Sequence, residues 1–246
     1  MHAGLWVGIV VLTNVSRPAS LPADALEPTA SEFQFRLLVH VDAEGNARLL
    51  QKVLQMWQNG TYKTDPADPT KQVLDEPGRY VLVTDDSLIP RFSGAALRDG
   101  QPVARRYSTV AFSFQEPLAL AGTGQFGGAD GVFTCQVVLP YNDPRNPFVH
   151  QYHPDHDNLD ERFQSMVPKA GPAGLETTES WTVTRDLRLQ FTATDPQALG
   201  QPGWGDNQVG GLYEETIRGL HSHDLTVSGV FRLQRASSVP VLNDGL

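Results

Sequence analysis

A chain of 246 residues is long enough to bury a substantial core, as one large domain or two small ones. Its 28 acidic against 19 basic side chains leave a formal charge of −9 with no run of Lys or Arg, which opposes any general role in coating nucleic acid or an anionic membrane. The single cysteine, Cys135, excludes an internal disulfide, so the fold must rest on its apolar core and on any ions it binds.

The first predicted strand is GLWVGIVVLTNV, Gly4 to Val15. Its apolar run is too short to span a membrane and lacks the basic flank and small-residue cleavage signal of a secretion leader, so it reads as buried β-structure. Pro18 and Pro22 open a Pro/Ala/Ser-rich connection to about Ser31. FQFRLLVHVD (Phe33 to Asp42) and ARLLQKVLQMWQ (Ala47 to Gln58) then flank a turn-sized Ala43-Glu44-Gly45-Asn46, the pattern of a hairpin. The second arm also has helical spacing at Leu49, Leu50, Val53, Leu54 and Trp57, but the short connection favours a strand. Asn59 to Pro77 is predicted as a loop, and Gly78 to Asp86 as the next strand. A turn or short helix is expected at Ser93 to Leu97, and a strand with one wet face within Gln101 to Leu118.

The glycine-rich AGTGQFGGAD, Ala121 to Asp130, lacks the Gly-Lys-Ser/Thr ending of a phosphate-binding loop and precedes a strand instead of a helix. It is read as a mobile loop. GVFTCQVVLP (Gly131 to Pro140) is a strand, and Ser165 to Thr178 a loop. Three strands follow, Ser180 to Thr194, Gly210 to Leu220 and Asp224 to Ser237, with a period of two at Val183, Leu187, Leu189 and Phe191 and again at Val227, Gly229, Phe231 and Leu233. Eight to ten strands, with no repeat and no long amphipathic helix, predict one all-β domain over residues 1–246. It would be an antiparallel β-sandwich, jelly-roll-like, or a sandwich-like barrel with long loops. The first and last strands are expected to pair and close one sheet.

Potential ligands crowd into NPFVHQYHPDHDNLDERF, Asn146 to Phe163. His150, His153 and His156 recur every third residue, and Pro147 and Pro154 favour a polyproline-like path that returns every third side chain to one face. Asp155, Asp157, Asn158 and Asp160 offer an oxygen set for a calcium-like ion (Ca2+), although the glycine and twelfth-position Glu of an EF-hand are missing. The three histidines, joined by His221 and His223 from one face of a late strand, would instead suit Zn2+, Cu2+ or Fe2+. A third reading is a solvated loop whose carboxylates are balanced by Arg145 and Arg162. His221-Ser-His223 is weakly similar to the His-x-His of metal-binding cupins, but no Glu follows at their spacing.

Nucleophile chemistry finds little support. There is no G-x-S-x-G, Cys135 reads as a core residue, and Glu214/Glu215 or Asp85/Asp86 would point to opposite faces of a strand. Trp6, Trp57 and Trp181 lie in apolar runs and read as core, whereas Trp204, between glycines in QPGWGDNQ, is the candidate ligand-binding aromatic for a sugar ring.

The segments GLWVGIVVL, FQFRLLVHVD with RLLQKVLQMW, NPFVHQYHPDHDNLDERF, and GGLYEETIRGLH with VSGVFRLQRAS resemble a poorly characterised β-rich module of large secreted or cell-surface bacterial multidomain proteins. The resemblance spans most of the chain. It implies extracellular or cell-surface residence, a β architecture, and a module taken from something longer; no enzymatic role comes with it. The expected function is a non-catalytic extracellular module, stabilised by a calcium-like ion, for adhesion, assembly or scaffolding. Its expected partners are other protein modules or extracellular polysaccharide, with no nucleic acid and no membrane insertion. The alternatives are a carbohydrate-binding module and a His-dependent metalloenzyme on a β scaffold.

Overall fold

The computed structural model describes residues 2–16, 25–91, 97–98, 101–102, 105–114, 119–140, 143, 150–151, 165–168, 177–180, 182–197, 199, 202–219 and 224–243. Most of these residues lie in strands. In chain order they are β1 (Gly4–Ser16), β2 (Leu26–Val41), β3 (Ala47–Leu50), β4 (Lys52–Gln58), β5 (Thr61–Asp65), β6 (Asp68–Glu76) and β7 (Arg79–Val83). Then come β8 (Leu97–Arg98), β9 (Gln101–Pro102), β10 (Arg105–Ser108), β11 (Ala119–Ala121), β12 (Thr123–Gly124), β13 (Val132–Leu139), β14 (His150–Gln151), β15 (Ser165–Pro168) and β16 (Thr177–Ser180). The last three are β17 (Val183–Phe191), β18 (Gln208–Arg218) and β19 (Leu225–Ser237). Among the described residues the only helical piece is a 3-10 turn, Asp86–Arg91, and no helix is long and apolar enough to cross a membrane. The all-β class expected from the sequence is the one found.

Nine strands form one antiparallel sheet in the order β11-β3-β2-β1-β19-β18-β17-β13-β12. The first and last long strands pair as expected, from Leu5↔Ser237 to Val15↔Val227. The two edge strands, β11 and β12, are separated in the chain by Gly122 alone, so one short stretch pairs with β3 on one side and β13 on the other. This brings the sheet round nearly into a barrel and covers part of its free edges. The expectation of a mobile loop from Ala121 to Asp130 is therefore corrected: the first part of that stretch is the seam. A β-carbon on Gly122 would lie 2.1 Å from the Phe133 ring, so this glycine serves close approach of the backbone.

Two other expectations change. Asn59 to Pro77 holds the hairpin β5–β6 rather than a loop, turned where the Ala67 amide donates to Asp65 Oδ1 at 2.8 Å. Pro69 is tolerated because this ribbon has two strands only, each with an unpaired edge. Ala47 to Gln58 is extended, as preferred over helix, but it breaks at Gln51: β3 stays in the barrel while β4 leaves for a second sheet of order β10-β4-β7. The predicted loop from Ser165 to Thr178 also contains β15 and the start of β16.

Inward residues of the barrel strands form one cluster that includes Trp6, Leu37, Phe133, Leu189, Tyr213 and Phe231. One end is filled by aromatic rings, with centroids 5.4 Å apart for Trp6 and Phe126, 4.8 Å for Phe126 and Phe191, and 5.2 Å for Phe191 and Phe231. Cys135 belongs to this core, and burial pushes its thiol up to about 12. One end of the outer faces of β1 and β2 is covered too, since Leu5 and Leu38 pack with Leu50, Val53, Leu82 and Tyr107 beneath the smaller sheet.

His40 lies on that covered outer face, buried, and its Nε2–H donates to the Val239 carbonyl at 3.1 Å. Burial, the largest influence, holds its pKa below the ordinary 6.5, so the folded chain resists a proton that the unfolded chain accepts. The unfolded state then binds more protons, and the stability contributed by His40 is full above pH 6.5 and declines as the pH falls below it. Urea midpoints are expected to drop between pH 7.5 and 5.5, and to drop less in His40→Gln. Parallel pH profiles for the two proteins would contradict this.

Candidate functional site

The seam closes only part of the wall. β2 pairs with β3 at Val39, His40 and Val41, and β12 pairs with β13 at Thr134 and Phe133. Towards the other end, no described strand bridges Phe33–Leu38 of β2 to Val137–Leu139 of β13. The segment Thr109–Phe114, which follows β10, occupies this region and turns Phe112 and Phe114 into the core. It is pinned to Arg36 and Gln51 by three hydrogen bonds: Thr109 Oγ1 to Arg36 O at 2.7 Å, Thr109 N to Gln51 O at 2.9 Å, and Gln51 Nε2 to Phe112 O at 3.1 Å.

Between that segment and the barrel strands lies a cavity of about 670 Å³, within the size range of small-molecule sites. Its walls are mostly apolar, built from residues such as Leu12, Phe35, Val137, Leu139, Val183 and Val227. At its mouth Phe33 is 60% exposed and Val110 fully exposed, two large apolar side chains beside one opening. Aromatic rings continue inward from the mouth, Phe33 to Phe35 at 6.3 Å and Phe35 to Tyr213 at 5.6 Å.

The inward faces of β17 and β18 place a polar group at the inner end of this space. Arg185 shares the parity of Val183 and Leu187, while Glu215 shares that of Val209 and Tyr213, and the register sets Glu215 opposite Leu187. Arg185 Nε donates to Glu215 Oε1, Arg185 Nη2 donates to Oε2 at 3.1 Å, and the Tyr213 hydroxyl donates to Oε2 at 2.8 Å. Arg185 Nη1 donates to the Ala111 carbonyl, and the guanidinium carbon sits 4.6 Å from the Phe112 ring centre. Both residues line the cavity, and with Glu215 1% exposed and Arg185 22% the arginine is the more open of the two.

Burial works against the charge on Arg185, but the hydrogen bonds and charge of Glu215 outweigh it and hold the pKa above the usual guanidinium range. Burial, reinforced by the Glu215 charge, raises the Tyr213 hydroxyl well above its ordinary range, so it remains a donor. The geometry gives a closely paired ion pair in an apolar surround. Three of the five guanidinium N–H groups are committed, leaving one on Nη1 and one on Nη2 without a partner among the described residues.

Of the residues proposed from sequence, His150 opens β14, where it pairs with Glu179 of β16. His153, Asp155, His156, Asp157, Asn158, Asp160, His221 and His223 lie outside the described residues. Among the described residues, no group of three or more His, Cys, Asp or Glu is placed to hold a metal ion. Trp204 lies in the connection from β17 to β18, at the opposite end. It is half-buried, its Nε1 donates to Thr192 O at 3.1 Å, and its ring lies 2.8 Å from where a β-carbon on Gly210 would be. Trp6 is fully buried, and Trp57 packs edge-on to Tyr80 at 5.1 Å.

Arg185 and Tyr213 were not singled out by sequence reasoning, and Glu215 was weighed only as a carboxylate pair with Glu214. The signal was present in the period-two run of β17, where Arg185 fills the inward position between Val183 and Leu187. A charge on an inward parity needs a partner, and Glu215 is on the inward face of the neighbouring strand.

Fold and site together define an antiparallel, nearly closed β-barrel with an apolar cavity at one end and a buried ion pair at its base. Compared with protein-family models the chain finds no match, and compared with curated protein sequences it finds none.

Proposed function

We propose that this protein is a non-catalytic binding module that takes up a small apolar molecule in the cavity of its barrel. The observation that carries this reading is an internal space of about 670 Å³ with apolar walls, reached past the exposed Phe33 and Val110. Apolar surface left in contact with water is costly, and a ligand of matching size and chemistry would cover it. The reading keeps the non-catalytic module expected from the sequence but seats its ligand inside the barrel, not on a loop around Trp204.

A titration with N-phenyl-1-naphthylamine tests it, because this neutral dye brightens on leaving water. Saturable binding at one dye per chain is expected. Ile217→Trp adds bulk at a partly buried wall position and should weaken binding roughly tenfold without lowering the melting temperature. Brightening that does not saturate, or that ignores the substitution, would sink the proposal.

A further inference from the structure

Resting on that reading, we infer that the ligand is uncharged and carries one hydrogen-bond acceptor oxygen, such as a ketone, ester or amide carbonyl, which meets the two N–H groups of Arg185 that have no partner among the described residues. Those donors belong to a side chain that lines the cavity and is fixed by Glu215 and the Ala111 carbonyl, so they are aimed before any ligand arrives. A carbonyl oxygen has two lone pairs and no charge, which matches a pair of N–H groups at little desolvation cost. A carboxylate fits less well. Glu215 already neutralises Arg185 through two hydrogen bonds, so an anionic head at the inner end would bring a second negative charge beside Glu215 and leave it uncompensated in an apolar space. The other cation among the described residues of the cavity, Arg36, is exposed at the mouth, where its Nη1 donates to the Ser108 carbonyl at 3.3 Å. It can meet an anion only at the rim.

The test uses three ligands on one ring frame, each displacing bound N-phenyl-1-naphthylamine from the wild-type protein: 2-acetylnaphthalene, 2-ethylnaphthalene and 2-naphthoate. The acetyl compound should bind about tenfold tighter than the ethyl compound, and tighter than the naphthoate. In Arg185→Met/Glu215→Leu, which removes the donors without stranding a charge, the preference for acetyl over ethyl, read by direct calorimetric titration of each compound, should fall to about one. The infrared carbonyl stretch of bound 2-acetylnaphthalene gives a reading that needs no variant, and it should move to lower wavenumber than in alkane solvent. Equal affinities for acetyl and ethyl, tightest binding of the naphthoate, or an unshifted carbonyl band would each overturn the inference while leaving uptake by the barrel intact. Absence of saturable dye binding would remove the underlying reading, and this inference with it.

Discussion

Glu215→Ala should cost about 3–5 kcal/mol of folding stability, read from urea unfolding, because it leaves Arg185 charged and enclosed without its carboxylate. The alanine withdraws both acceptors used by Arg185 Nε and Nη2 and also the partner of the Tyr213 hydroxyl. Only water in the cavity could take their place, since the guanidinium otherwise stands among apolar side chains and its remaining bond goes to the Ala111 carbonyl. Replacing both charges at once behaves differently: Arg185→Met/Glu215→Leu exchanges a desolvated pair for apolar packing, a change that is often neutral or stabilising. The double variant is therefore expected to recover most of what Glu215→Ala loses. A single variant as stable as wild type would mean that Arg185 swings out to water, and that the donors at the cavity base are not held in place.

Trp6→Ala is expected to cost a similar amount, about 3–5 kcal/mol, for a different reason. Trp6 is fully buried at the closed end of the barrel, its Nε1 donates to the His2 carbonyl at 2.7 Å, and its ring packs against Phe126. Arg235 approaches the other side, its guanidinium carbon 5.8 Å from the ring centre. The backbone of β1 cannot close up over the gap, because it is tied into ladders with β2 and β19 on both sides. The lost volume thus remains as a void, with the cost of missing contacts added to that of lost burial. Dye affinity should change little, since the cavity lies at the opposite end and distant sites act nearly independently. A stability loss under about 1 kcal/mol in urea would show that the aromatic plug repacks freely.

Much of this fold was legible because a strand with one face in a core must alternate, and β13, β17 and β19 do so over most of their length. What escaped reading did so for identifiable reasons. Glycines at 122, 124, 127 and 128 imitate a flexible loop, yet Gly122 and Gly124 are where the backbone runs hard against Phe133 and the Val132 carbonyl. Charged and polar residues between Asn59 and Pro77 imitate a solvated connection, because a two-stranded ribbon with little buried surface has no apolar face to reveal it. The site escaped because attention went to residues clustered in sequence, around Pro154, whereas Arg185 and Glu215 are 30 residues apart and meet only through strand pairing.

The place of β1 between β2 and β19 also bears on how the protein acquires its shape. Leu5 pairs with His40 on one side and with Ser237 on the other, so half of the ladder along β1 must wait for a partner more than two hundred residues downstream. Contacts so far apart along the chain are reached late, since the entropy of a long loop is lost before any pairing compensates it. During synthesis β1 and β2 can form only a hairpin with one bare flank, and the wall completes itself once the final strand has left the ribosome and docked.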